Sequence, residues 1–325
     1  MLSITDRKLK RIWLNQSKNK MENIKGRFHI IEGTNLFTRI SPLHAIDLFI
    51  GIDEQGRYTI KYRGNFTPEP KIKSVAGIEI NQYQNEDFNT LQFSLTDNDN
   101  KELFFTFCED IIETTRVVSD KKHAYKTILN RYYSWKKMFS APKKMLSESE
   151  IMGLMGELLF LRDFLFEKYG KGDALKSWSG QELTHKDFSY NNKWYEVKAI
   201  HSGKPSVKIS SLEQLQSIND GELVVYSLEK MSSSYDGIKI NSLALNILNS
   251  LEFDAQKDQF LEAILSRGFT FDDDYDESVF ALISMTRYLV SSSFPRLTSE
   301  DINEAILKVQ YDLSLASLNN YVIDN

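Results

Sequence analysis

The chain has 325 residues, enough to bury a sizeable core and to form two domains, and its 41% hydrophobic and 26% charged content is ordinary for a globular protein. Cys108, its single cysteine, excludes an intramolecular disulfide and a thiolate metal cluster; no apolar run approaches the ~18–20 residues of a membrane span, and MLSITDRKLKRIW lacks the apolar core of a signal peptide. A net charge of −5 argues against a surface that binds nucleic acid everywhere, so a cytoplasmic protein with no membrane attachment is expected.

Residues 1–27 are polar and basic, helical at best. From Phe28 to about Val118 the pattern is β-rich. IDLFIGIDEQGRYTIKYRG (46–64) reads as two strands around Glu54-Gln55-Gly56-Arg57, with Leu48, Ile50 and Ile52 on one face. FNTLQFSLTDNDNKELFFTFC (88–108) repeats the form, with Leu91, Phe93 and Leu95 alternating before an Asp-Asn turn. An antiparallel β domain is expected, with nothing in it that reads as an active site.

Residues 116–144 hold nine Lys and Arg against one Asp. A helix is expected over 119–139, with Tyr125, Tyr132, Tyr133 and Trp135 interleaved among the cations. Such aromatics can stack on bases while the cations meet phosphates. Equally, they can pack on a core beneath a solvated charged face. Ser140-Ala141-Pro142 breaks the helix and divides a domain over 1–140 from one over 141–325.

A second helix is expected from about Ser149 to Tyr169, opened by a capping box of Ser147 and Glu150. Between Ile151 and Leu161 its only charge is Glu157, with Gly153, Leu154, Phe160 and Leu161 as helical neighbours. A carboxylate there needs a partner or a metal if buried, or else it looks into solvent. Gly153 and Gly156 cost helix propensity and suit a place where another backbone or a ligand comes close.

THKDFSYNNKWYEVKAI (184–200) carries the chemistry. Asn191-Asn192 between two strand-forming runs signals a two-residue hairpin. Tyr190 then faces Lys193, Ser189 faces Trp194, and Asp187 faces Glu196. Alternation puts Trp194, Glu196 and Lys198 on one face and Tyr195, Val197 and Ala199 on the other. Opposed side chains lie roughly 4.5–5.5 Å apart at Cβ, where like charges repel. A hard divalent cation would neutralise that repulsion through oxygen ligands. The alternative is a solvated strand face with a cross-strand ion pair.

Downstream, PSVKIS (205–210) reads as a strand, SLEQLQSI (211–218) as a short helix and ELVVYSLEKM (222–231) as a buried strand. INSLALNILNSL (240–251) and AQKDQFLEAILSRG (255–268) read as helices, the latter ending at Gly268. ESVFALISMTRYLVS (277–291) reads as one or two strands, and TSEDINEAILKVQYDL (298–313) as a capped helix.

GELLFL with Glu157, KDF with Asp187 and YEVKA with Glu196 and Lys198 resemble the PD-(D/E)XK nuclease superfamily over about residues 148–230. The chain as a whole, including SSLEQL at 210–215 and SFPRL at 293–297, resembles a bacterial family assigned to that superfamily and found among restriction and phage-defence genes. Lys186 stands where the motif often has proline. The resemblance implies an α/β (α+β) fold, a restriction-endonuclease-like mixed sheet flanked by helices, preceded by the β-rich N-terminal domain. It implies that Asp187, Glu196 and the Val197 carbonyl bind Mg²⁺, with Mn²⁺ able to substitute. Lys198 would orient or help deprotonate the attacking water, and Glu157 would assist. Gln214 would touch the site from the following helix, unless it lies on an ordinary helix surface. The expected function is a Mg²⁺-dependent DNA endonuclease in a restriction or anti-phage system, with DNA and other subunits as partners. The alternative is a catalytically silent nuclease-fold subunit that binds DNA or a partner protein.

Overall fold

The computed structural model describes residues 24–70, 72–116, 118, 121–142, 144–178 and 186–323, excepting the side chains of Lys121 and Lys122. Most of the basic N-terminal stretch therefore lies outside the described residues, as do parts of the 116–144 segment. The chain divides into two compact units, Met1–Pro142 and Lys143–Asn325.

The first unit opens with a short helix α1 (Ile24–His29). Five strands follow: β1 (Leu36–Arg39), β2 (Asp47–Ile52), β3 (Tyr58–Gly64), β4 (Ile78–Gln84) and β5 (Asn89–Leu95). They form one antiparallel sheet in the order β1-β2-β3-β5-β4. At the β2–β3 turn, Asp53 Oδ1 accepts from the N–H groups of Gln55 and Arg57, and Gly56 takes φ +78°. One face of the sheet buries Leu48, Ile50, Ile60, Leu91 and Phe93. Helices α2 (Lys101–Thr115) and α3 (Lys121–Phe139) cover that face, Phe93 meeting Phe107 at 5.4 Å and Tyr132 at 5.5 Å between ring centroids.

The second arm of the expected 88–108 hairpin is instead the start of α2. ELFFTFC is apolar at nearly every position, so alternation could not separate strand from helix. Asp97 accepts from the Asp99 N–H and opens a 3₁₀ turn (Asn98–Asn100) from which the helix continues. Leu103, Phe104, Phe107, Cys108 and Ile111 then bury at helical spacing.

In α3 the aromatics resolve toward packing. Tyr125, Tyr132 and Trp135 are buried, and only Tyr133 stands exposed. Arg131 is buried with them, its Nε donating to Asp110 Oδ2 at 2.7 Å, where Trp135 Nε1 also donates at 2.7 Å. Two charges at 0% exposure on each side make this a structural pair and remove Arg131 from the basic surface.

The second unit is mixed α/β. Helix α4 (Glu148–Phe160) has the Ser147/Glu150 capping box, then passes through a π-helical turn (Leu161–Leu165) into α5 (Phe166–Tyr169). The single helix expected over 149–169 thus contains a π insertion, a common device for re-aiming side chains within a helix. After α6 (Lys171–Trp178) come β6 (Phe188–Tyr190), β7 (Lys193–His201), β8 (Ser206–Ile209) and β9 (Gly221–Met231). Helices α7 (Ile240–Ser250) and α8 (Asp254–Ser266) precede β10 (Val279–Val290) and β11 (Tyr311–Ser314). The main sheet runs β10-β9-β7-β6, with β7 and β9 parallel and the other pairs antiparallel. Strand β8 pairs with β11 in a separate ladder.

Two expected helices shrink. Residues 211–218 hold only a 3₁₀ turn (Leu212–Gln214), and Lys186 takes the Glu213 carbonyl that a longer helix would use. Thr298 and Asp301 do form a capping box, but it supports one 3₁₀ turn (Ser299–Asp301). Ile306 and Leu307 are 50% and 97% exposed, so no packing rewards extending that turn. Among the described residues, no helix is long and apolar enough to cross a membrane.

Candidate active site

The site begins at the Asn191-Asn192 turn. Both residues take positive φ, 47° and 61°, as a type I′ hairpin turn demands. The resulting register pairs Tyr190 with Lys193, Ser189 with Trp194 and Phe188 with Tyr195. Phe188 and Tyr195 point toward α4, both touching the Phe160 ring. Alternation therefore turns Asp187 and Glu196 to the opposite face. The backbone ladder stops at Phe188, and Asp187 continues it with its side chain, Oδ2 accepting from the Val197 N–H at 2.7 Å.

Helix α4 lies against the far side of β7. A methyl group on Gly156 would sit 3.4 Å from Val197 Cγ1 and from Ala199 Cβ, so helix and strand are already in contact there. Gly153 has nothing comparable within 4 Å, and close approach explains only the second glycine. Trp194 and Ile200 flank Glu196 and Lys198 on the other face and join a core that includes Val207, Leu223, Val225 and Phe294.

Glu196 is 1% exposed. Its Oε1 accepts from Lys198 Nζ at 2.7 Å, while among the described residues nothing pairs with the buried Oε2. Burial pushes the Glu196 carboxyl above its ordinary range, against the pull of Lys198 and Lys186. Asp187 is raised well above the usual carboxylate range, first by desolvation and then by repulsion from Glu196 and Glu157. Lys198 and the Val197 N–H only partly offset this. Two acids that resist ionising, with one oxygen left unsatisfied, are a place where positive charge is missing.

Glu157 enters the same electrostatic neighbourhood from α4 but is not free. Its Oε2 accepts from Trp178 Nε1 and Arg267 Nε, both at 2.7 Å. Arg267 also donates to the carbonyls of Trp178 and Ala263, and its guanidinium stacks 4.3 Å from the Trp178 ring centroid. Gln214 uses its side-chain oxygen to accept from the Ser210 N–H at 2.8 Å, closing its own turn. Among the described residues, no three His, Cys, Asp or Glu gather into a metal cage. Asp187 and Glu196 are the two carboxyls that the hairpin brings to this face.

Lys186 and Arg296 are the residues that sequence reasoning passed over. Lys186, at the position of the missing proline, is 7% exposed and lies 4.0 Å over the Trp194 ring centroid. Its Nζ donates to the carbonyls of Glu213 and Gln216, and burial brings it down to about 8. Arg296 donates to the carbonyls of Leu215 and Ser217. These two cations tie the SSLEQL and SFPRL segments together behind Glu196. The signals were present, a Lys directly before the Asp and an Arg in SFPRL, but their carbonyl partners could not be read from spacing.

A family model described as "Putative PD-(D/E)XK family member, (DUF4420)" matches residues 10–316. No curated protein and no solved structure matches the chain.

Proposed function

On the premise that the chain belongs to this PD-(D/E)XK family, we propose that it is a Mg²⁺-dependent DNA endonuclease of the cytoplasm, a subunit of a restriction or anti-phage system. The observation that carries this reading is the buried, unpartnered Oε2 of Glu196 beside a second carboxyl that also resists ionising. Burying such acceptors costs stability unless a cation uses them. Asp187, Glu196 and the Val197 carbonyl would hold Mg²⁺, with Mn²⁺ able to substitute. When bound, the cation neutralises charge on the scissile phosphate and acidifies water.

The protein's own groups do the rest. Lys198 has three N–H donors, and one is spent on Glu196 Oε1. That bond fixes the carboxylate, and the remaining donors can orient a water for attack on phosphorus. Asp187 Oδ2 would keep its bond to the Val197 N–H, which holds the carboxyl in place for a cation. Glu157 has Oε2 committed to Trp178 and Arg267, which leaves Oε1 to orient water. The N-terminal unit contacts DNA or a partner subunit.

The test is Mn²⁺ binding followed by electron paramagnetic resonance, with proton release measured in parallel. Wild type should bind Mn²⁺ and release protons, while Asp187→Asn and Glu196→Gln should bind at least tenfold more weakly. Failure of wild type to bind at millimolar Mn²⁺ would remove the basis of the reading. A second reading, a catalytically silent subunit that binds DNA or a partner, is favoured by the Arg267–Glu157 pair, which neutralises one of the acids.

A further inference from the structure

The face of the N-terminal sheet turned away from α2 and α3 is neither apolar nor acidic. Cross-strand partners share a face. Register therefore places Arg39, Phe49, Lys61 and Gln92 in one row, and Asp47, Arg63, Thr90 and Tyr83 in the next. Phe37 belongs to the same face through Gly51 and Thr59. Its acids are already committed, Asp47 to Arg39 and Glu79 to Arg57.

Among the described residues, Lys61 and Arg63 have no such partner. Lys61 is 8% exposed, and among the described residues nothing accepts a hydrogen bond from its Nζ. Its Nζ lies over the Phe37 ring, 3.1 Å from the centroid. Arg63 lies over the Phe49 and Phe88 rings at 4.9 and 5.0 Å, and among the described residues nothing pairs with its buried Nε. The Nε of Arg39 is likewise buried and unpartnered. Burial and the neighbouring Arg63 charge bring the Lys61 ammonium down to about 8, which is the mark of a cation short of anions. An aromatic ring compensates a buried cation only in part.

We propose that this face binds a single-stranded nucleic acid, with Lys61 and Arg63 taking backbone phosphates and the aromatic side chains stacking on bases. Phosphate oxygens would provide the acceptors that the two cations lack. The Phe37, Phe49 and Phe88 rings are half-buried, and Tyr83 stands 49% exposed. Tyr83 lies two strands from Arg63, about 10 Å at ordinary strand spacing, so phosphate and base contacts would fall along one strand of ligand. A duplex keeps its bases stacked on each other and could not use the rings. The inference deepens the DNA-contact role proposed for this unit. It is independent of cleavage, because its residues belong to the sheet alone.

The test uses the full chain in EDTA, where no metal-dependent cutting can intervene. Fluorescence anisotropy with labelled dT12, rU12 and a 12-base-pair duplex distinguishes the ligand classes. Wild type should bind one or both single strands and prefer them to the duplex. Lys61→Met and Arg63→Gln should each weaken that binding about tenfold and flatten the salt slope by about 0.7 per cation removed. Tyr83→Ser, an exposed change, should weaken binding without lowering Tm, and it decides the matter if the buried-cation variants melt early. No single-strand binding by wild type at 50 mM salt, a preference for duplex, or folded variants within twofold of wild type would each overturn the proposal. If these variants lose binding while Mn²⁺ never binds the second unit, the sheet proposal stands and the nuclease reading fails.

Discussion

Replacing Asp187 with Asn should stabilise the metal-free protein at neutral pH. Asp187 is held well above the ordinary carboxylate range by desolvation and by repulsion from Glu196 and Glu157. Asn removes the charge and keeps an oxygen for the Val197 N–H. Two carboxylate charges separated by about 5 Å repel by about 3 kcal/mol at an effective dielectric of about 20. Loss of the Lys198 attraction returns much of that, which leaves a net gain of roughly 1–2 kcal/mol. In a unit of this size such a gain raises Tm by roughly 2–6 °C. The folded pKa lies above the unfolded one, so the native state binds more protons between the two. Wild-type stability therefore falls as pH rises through that window. The advantage of Asp187→Asn should be small near pH 4 and large at pH 7.5, and calorimetry in EDTA at both values measures it. A variant that melts at or below wild type at pH 7.5, or an offset equal at both pH values, refutes the reasoning.

Gly153→Ala should raise stability by about 0.5–1 kcal/mol, because nothing lies within 4 Å of the new methyl. Gly156→Val should cost about 1–3 kcal/mol, since its branches must push β7 away from α4; urea melts distinguish the two. Arg131→Ala removes the buried cation that pairs with Asp110 and should cost about 3–5 kcal/mol in the first unit, read as early loss of its own unfolding transition. Arg267→Gln should free Glu157 from its ion pair and change the pH profile of Mn²⁺ binding, whereas a purely structural arginine would shift Tm alone.

The hairpin at the centre of the site was legible because Asn-Asn fixes the turn and the turn fixes the register. The start of α4 was legible because the capping box is a local signal. Residues 101–108 were not, since an unbroken apolar run has no period from which to tell helix from strand. The 298–313 helix failed for the opposite reason: its local signals were sound, but Ile306 and Leu307 found nothing to pack against. Glu157 was noticed as an isolated charge, yet its partner Arg267 lies 110 positions away and could not be found from spacing. The same distance effect hid Lys186 and Arg296, whose partners are backbone carbonyls of a turn. Gln214 was carried by resemblance alone, and its side chain is engaged in closing the turn around Ser210.

Hydrolysis of DNA at the Asp187–Glu196–Lys198 site is measured as Mg²⁺-dependent cleavage of phage DNA by wild type and Lys198→Gln. Gln at this position keeps an N–H donor for Glu196 and removes the charged, water-orienting group. Wild type should cut in Mg²⁺ or Mn²⁺ and fall silent in EDTA. Lys198→Gln should lose cutting at least a hundredfold while DNA affinity in EDTA is unchanged. Cleavage that persists in Lys198→Gln, or wild type that binds DNA and never cuts with either metal, would contradict the account.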